Sequence, residues 1–169
     1  MHDLDHADQL DELAICAEPP RLRGWVPAGP YRQHLLRLMS QSRLPWRAVA
    51  IHAEVPMRFV RRLAGPRYPR RVPAAVALRL VTVTEAEVIG LAATPGRRRV
   101  TARRVRWLLD QGLARDQVAE MLEISAADAD RLGRDRGWCS ARTELLARAA
   151  VQAHAARHPW LDAPAEAAA

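Results

Sequence analysis

Met57, Arg58, Arg61 and Arg62 carry the clearest chemistry in this chain. An arginine side chain ends in a planar fork of N–H donors. That fork matches guanine O6 and N7 in the DNA major groove and discriminates a base pair by about 1–3 kcal/mol. Positions 58, 61 and 62 are one helical turn apart, so on a helix the three forks share one face. Met57 or Phe59 can touch a thymine methyl beside them. The role expected for Met57, Arg58, Arg61 and Arg62 is base reading.

Further basic residues suit the backbone instead. Arg67, Arg70 and Arg71 lie in the loop GPRYPRR directly after this segment and can pair with phosphates. Arg97, Arg98, Arg99, Arg103, Arg104 and Arg106 form the densest basic cluster, able to follow a phosphate backbone or enter a minor groove. A solvated charge run is the bland alternative. Each phosphate neutralised steepens the dependence of log K on log salt by ~0.9.

A second candidate face is weaker. Ala126, Ala127, Asp130 and Arg131 occupy positions equivalent to Met57, Arg58, Arg61 and Arg62. Asp130 can accept from cytosine N4, although a carboxylate is costly in a phosphate-lined groove. Arg131, Arg134 and Arg136 at the helix end can hold phosphates, and Ser125 with Asp128 fits a capping box. Base reading here stays open against backbone anchoring or protein contact. His154 and His158 have a metal-ligand spacing, but no carboxylate or cysteine completes the set, so a surface pair is expected. No Ser/His/Asp grouping has supporting spacing, and no Gly-rich phosphate loop is present. The expectation is a non-enzyme with no catalytic residue, metal or cofactor.

The elements that must position these residues follow from apolar spacing. In WRAVAIHAEVPMRFVRRL, residues Trp46–Leu63, the side chains Trp46, Val49, Ala50 and Ala53 fall on one helix face. Val55 sits in a turn, and Val60 and Leu63 pin a second helix whose start is preset by Pro56. This is the register of a helix-turn-helix. Adding 69 to each anchor gives Val118, Ala119, Leu122, Ile124, Ala129 and Leu132. The preceding helix repeats as well, with Leu36, Met39 and Leu44 mapping onto Val105, Leu108 and Leu113. A repeat of this kind decides the fold.

The expected fold is all-α: two helix-turn-helix modules in tandem joined by a short connector. The spacing predicts helices over 31–42, 46–53, 56–64 and 73–82, then 101–111, 115–122, 126–133 and 140–157. The expected domains are an acidic N-terminal segment and linker (1–30), a first module (31–84), a connector with a basic run (85–100), a second module (101–158) and a flexible tail (159–169). Glu85–Thr94 reads as helical, with Pro95-Gly96 breaking it. Residues 3–17 read as a short amphipathic helix. Trp25 is expected to dock the linker, and Trp46, Trp107 and Trp138 to pack inside the modules.

Composition agrees. The 169 residues contain eight aromatics, so alanine and leucine must build the core, which favours helices. The single β-branched cluster, Val81–Thr84, reads as a helix end. All 26 basic residues are arginine. Residues 1–20 hold six acids and no arginine, leaving residues 21–169 with 13 acids and a formal excess of 13 positive charges. Such a body suits a polyanionic partner. Cys16 and Cys139 read as reduced thiols. No apolar run approaches the ~20 residues of a membrane span, and no signal peptide is apparent. A cytoplasmic, nucleoid-associated protein is expected.

The order of motifs resembles the tandem helix-turn-helix DNA-binding proteins of actinobacteria and their phages. An AVA…V…FVRRL-like module comes first, then a basic loop and an A…L…VT segment at Ala75–Thr84. An RRRV…L…G…..VA..L.I unit follows at Arg97–Ile124, and a helix leads to His158-Pro159-Trp160-Leu161-Asp162. The resemblance spans about residues 31–162. It implies double-stranded DNA binding and transcriptional regulation. Glu54 and Glu123 depart from it, standing where a turn glycine is usual. Three arrangements remain open: a monomeric pseudo-dimer gripping one duplex, a homodimer paired through the second module or the C-terminal helix, and a protein-interaction adaptor acting on a sigma factor or polymerase. The acidic segment 1–20 is expected to fold back on the arginines or to serve such a partner.

Overall fold

A computed structural model of the chain describes residues 24–157. The helix expected over 3–17, the acidic segment 1–20 with Cys16, the tail 159–169, His158 and the Trp160 motif lie outside the described residues. Within them the chain is all-α apart from one very small sheet.

The order is β1 (Trp25–Pro27), α1 (Gly29–Ser42), α2 (Trp46–His52), α3 (Met57–Ala64), β2 (Arg71–Pro73), α4 (Ala74–Thr82), α5 (Glu85–Gly90), α6 (Arg98–Asp110), α7 (Arg115–Leu122), α8 (Ala126–Gly133) and α9 (Ala141–Arg157). Proline punctuates the first half: Pro45, Pro56 and Pro73 each stand at an N-cap, with φ fixed between −66° and −55°. Thr84 opens α5 with a reciprocal capping box. Its hydroxyl accepts from the Glu87 N–H, and the Glu87 carboxylate accepts from the Thr84 N–H.

The two strands were not foreseen. β1 lies in the stretch read as linker, and it pairs antiparallel with β2, which runs from the end of the basic loop at Arg71 into Pro73, the first residue of the helix expected over 73–82. Backbone bonds from Ala74 N–H to Gly24 O and from Ala28 N–H to Arg70 O, both 3.0 Å, extend the seam. Trp25 does not dock the linker; it is 56% exposed, and the neighbouring Val26 faces the core instead. A strand alternates sides at every residue, so turning Val26 inward turns Trp25 out.

Two apolar clusters form. The first joins Leu35, Leu38, Val49, Val60, Leu63 and Leu80, with Leu145, Leu146 and Ala149 from α9. The second joins Val105, Leu108, Val118, Leu122 and Leu132, with Ala147 and Val151 from α9. Residues 145 and 149 share one side of α9, while 147 and 151 share the opposite side. One helix therefore serves both clusters, and its apolar faces are consumed within the chain. Apolar residues all round a helix signal burial rather than a single docking face.

The repeat is offset by 69 over the pairs α2–α3 and α7–α8, where Val49, Val60 and Leu63 match Val118, Ala129 and Leu132, all buried. It slips by one at the preceding helix. Leu35 and Leu38, not Leu36 and Met39, are fully buried on α1, and they match Val105 and Leu108 at an offset of 70. The connector is stitched down: Gly96 N–H donates to Cys139 O at 2.8 Å and Ala141 N–H to Thr94 O at 2.7 Å. A Cβ on Gly96 would lie 2.4 Å from the Ser140 carbonyl oxygen, so only glycine permits this approach.

Candidate nucleic-acid interface

α2 and α3 pack across each other through Val49, Val60 and Leu63, all 0% exposed. Their turn rests on Glu54, whose φ of 52° is left-handed. A side chain there costs roughly 1–2 kcal/mol. The turn is braced: Arg79 on α4 donates a guanidinium N–H to the Glu54 carbonyl, and Val55 N–H bonds back to Ala50 O at 2.9 Å. This rigid brace sets the direction of α3.

On α3, Arg58, Arg61 and Arg62 are exposed. No carboxylate among the described residues engages them; Arg58 lies over the Phe59 ring at 5.1 Å. Met57 is partly buried and packs against the first cluster, as does Phe59. Met57 thus belongs partly to the brace, because the first turn of α3 begins at the edge of the core.

Two arginines that local spacing did not single out join this face. Arg47 on α2 stacks over Trp46 at 4.4 Å. Its pKa is lowered, first by burial, then by repulsion from Arg157 and Arg61. α9 packs along α2, and Arg157 at its end lies near this face. Only tertiary packing could reveal Arg157, since it lies far along the sequence from Arg61.

The loop arginines Arg67, Arg70 and Arg71 are all exposed, and Arg71 donates to the Trp25 carbonyl at 2.5 Å. The basic run divides. Arg97 donates its backbone N–H and its Nε–H to Glu144, each at 2.6 Å. Arg98 pairs with Asp135 at 3.1 Å. Arg99 and Arg103 are exposed on α6.

Arg104, expected at the DNA backbone, is 2% exposed and cannot reach a phosphate. It follows Thr101 by three residues and precedes Val105 and Leu108 on the buried face of α6, so the helical period turns it inward. Its Nη1 lies 3.8 Å from Glu144. Burial lowers its pKa, Glu144 opposes that, and Arg148, Arg97 and Arg103 add to it.

The equivalent face on α8 is self-neutralised. Arg131 pairs with Asp128 at 3.0 Å and Arg134 with Asp130 at 3.0 Å, while Arg115 approaches Asp130 at 3.8 Å. Ala126 and Ala127 are exposed. Ser125 caps α8 by accepting from Asp128 N–H at 3.1 Å, but the Asp128 carboxylate accepts from the Ser125 hydroxyl at 2.7 Å. Glu123 in the α7–α8 turn has φ 55°. Arg142 holds its carboxylate with two N–H donors, at 2.6 and 3.1 Å, and donates a third to Ser42 O at 2.7 Å. That arginine ties the α7–α8 turn to the end of α1.

Other residues have plainer roles. Trp46 and Trp107 are partly buried against the two clusters, but Trp138 is 65% exposed, contrary to expectation, just after a loop turn in which Gly137 has φ 84°. His154 meets the Trp107 ring edge-to-face at 5.7 Å. Cys139 is buried and donates to the Thr101 hydroxyl at 3.4 Å; burial raises its pKa. Among the described residues no helix is long and apolar enough to cross a membrane. The chain matches no protein-family model, no curated protein and no solved structure.

Proposed function

We propose that the chain is a sequence-specific double-stranded DNA-binding protein and a transcriptional regulator, built from two helix-turn-helix modules in tandem. α3 reads bases in the major groove through Arg58, Arg61 and Arg62, with Met57 at its edge. Arg67, Arg70, Arg99 and Arg103, together with Arg47 and Arg157, serve the backbone. The observation that carries this reading is the set of three α3 guanidinium groups, exposed together, unclaimed by any carboxylate among the described residues and mounted on a rigid apolar brace. Free forks on a fixed helix are what base readout needs.

The paired charges on α8 favour an anchoring or protein-contacting role for the second module, with sequence reading concentrated in the first. The consumption of both apolar faces of α9 favours a monomer acting as an asymmetric pseudo-dimer over pairing through that helix.

Selection of bound sequences from a random duplex pool tests the proposal. A defined, non-palindromic site is expected. Replacing Arg58 and Arg62 by alanine should weaken binding to that site by about 100-fold or more, given ~1–3 kcal/mol per bidentate contact. Enrichment of no sequence, or unchanged binding by the double variant, would overturn the reading.

A further inference from the structure

A cleft of about 740 Å³ opens between the α2–α3 turn and α9. Its size falls in the range of small-molecule sites, which span roughly 300–1,000 Å³. One wall is apolar, formed by Ile51, Val55, Met57 and Leu145, and the other carries Arg97, Glu144 and Arg148. Glu54 and Arg79 on the rim balance each other.

Among the described residues the charged wall carries an excess of positive charge. Glu144 spends both oxygens on Arg97. Arg104 stands behind it at 3.8 Å, 2% exposed, with Nε and Nη1 lacking hydrogen-bond partners. The buried Nε of Arg148, on the cleft wall itself, also lacks one. Arg97, Arg104 and Arg148 thus outnumber the one carboxylate, Glu144, in a partly desolvated place. Unpaired buried donors are costly; Arg104 lies too deep to meet a ligand, but an anion held by Arg148 relieves the cost on the cleft wall.

We propose that this cleft binds a phosphate monoester carried on a small apolar body. The phosphate sits on Arg148 and Arg97, and the apolar part lies against Ile51, Val55 and Met57. A phosphate monoester carries about −1.5 to −2 charges at neutral pH, which matches an excess of two guanidinium groups. The site stands whether or not α3 reads DNA, because it needs no duplex.

The test is a titration of the isotope-labelled full chain, followed by amide NMR without DNA. Phenyl phosphate is the probe, with inorganic phosphate and benzyl alcohol in parallel. Saturable shifts confined to residues 50–57, 141–152 and Arg97 with its neighbours are expected, with phenyl phosphate binding at least tenfold more tightly than either control. Arg148→Gln should weaken it tenfold or more while leaving the remaining peaks in place. Arg97→Gln, at a more exposed position, supplies the same readout should the first variant fail to fold. Shifts scattered over the arginine surface, equal affinity for the controls, or unweakened binding by a folded variant would each overturn the proposal.

Discussion

Arginine has no single meaning in this chain; its neighbours assign it. Arg58 and Arg104 look alike in sequence, each within a basic run on a helix. Arg58 falls opposite Val60 and Leu63 and reaches solvent, while Arg104 falls beside Val105 and Leu108 and is buried. The period of α6 made this legible, but the density of the run Arg97–Arg106 drew attention to charge rather than to phase. Arg104→Met, which keeps volume and removes a buried charge, should leave the salt dependence of DNA binding unchanged. A slope reduced by about 0.9 would show that Arg104 does meet a phosphate. Cys139 makes a second prediction. Burial holds its thiol neutral above the usual range. The unfolded thiol ionises first as pH rises, so stability is full below the unfolded pKa and falls as pH climbs towards the folded one. Thermal midpoints taken from pH 7 to 10 should drop less steeply in Cys139→Ala than in the parent chain; parallel slopes would refute this.

The helices were readable because each carries its own apolar period and stop signals. Pro56 and the run from Met57 to Leu63 announce α3 without outside help. The strands were not readable. Trp25–Pro27 and Arg71–Pro73 are three residues each, and they exist only through each other. The two left-handed glutamates were visible as departures from a turn glycine, yet their different tethers were not. Arg79 holds the backbone carbonyl of Glu54, whereas Arg142 holds the carboxylate of Glu123. Glu54→Gly therefore relieves the left-handed strain and keeps its tether, and should stabilise the fold by about 1 kcal/mol in urea unfolding. Glu123→Gly loses its tether and should bring no gain. Equal effects at the two positions would show that the tethers are irrelevant.

Across the whole molecule, the sequence suggested two beads on a short string, with residues 85–100 as the string. Pairing of Leu145 and Ala149 with one cluster, and of Ala147 and Val151 with the other, replaces the string by a shared helix. Period analysis could not foresee this, since a helix apolar on both sides gives no preferred face. The arrangement predicts one cooperative heat-unfolding transition. Leu146→Ala, which empties a site 3% exposed, should cost about 2–5 kcal/mol and lower that transition as a unit. Two separate transitions, with only one displaced, would speak against it.

The position of α9 bears on how the chain is made. Translation proceeds from the N-terminus, and helices close to one another in sequence ordinarily collapse as they leave the ribosome. Here the wedge that completes the earliest-made apolar cluster is encoded more than eighty residues after Val60. The first cluster must wait, with part of its interior open to water, until α9 emerges and closes both clusters together.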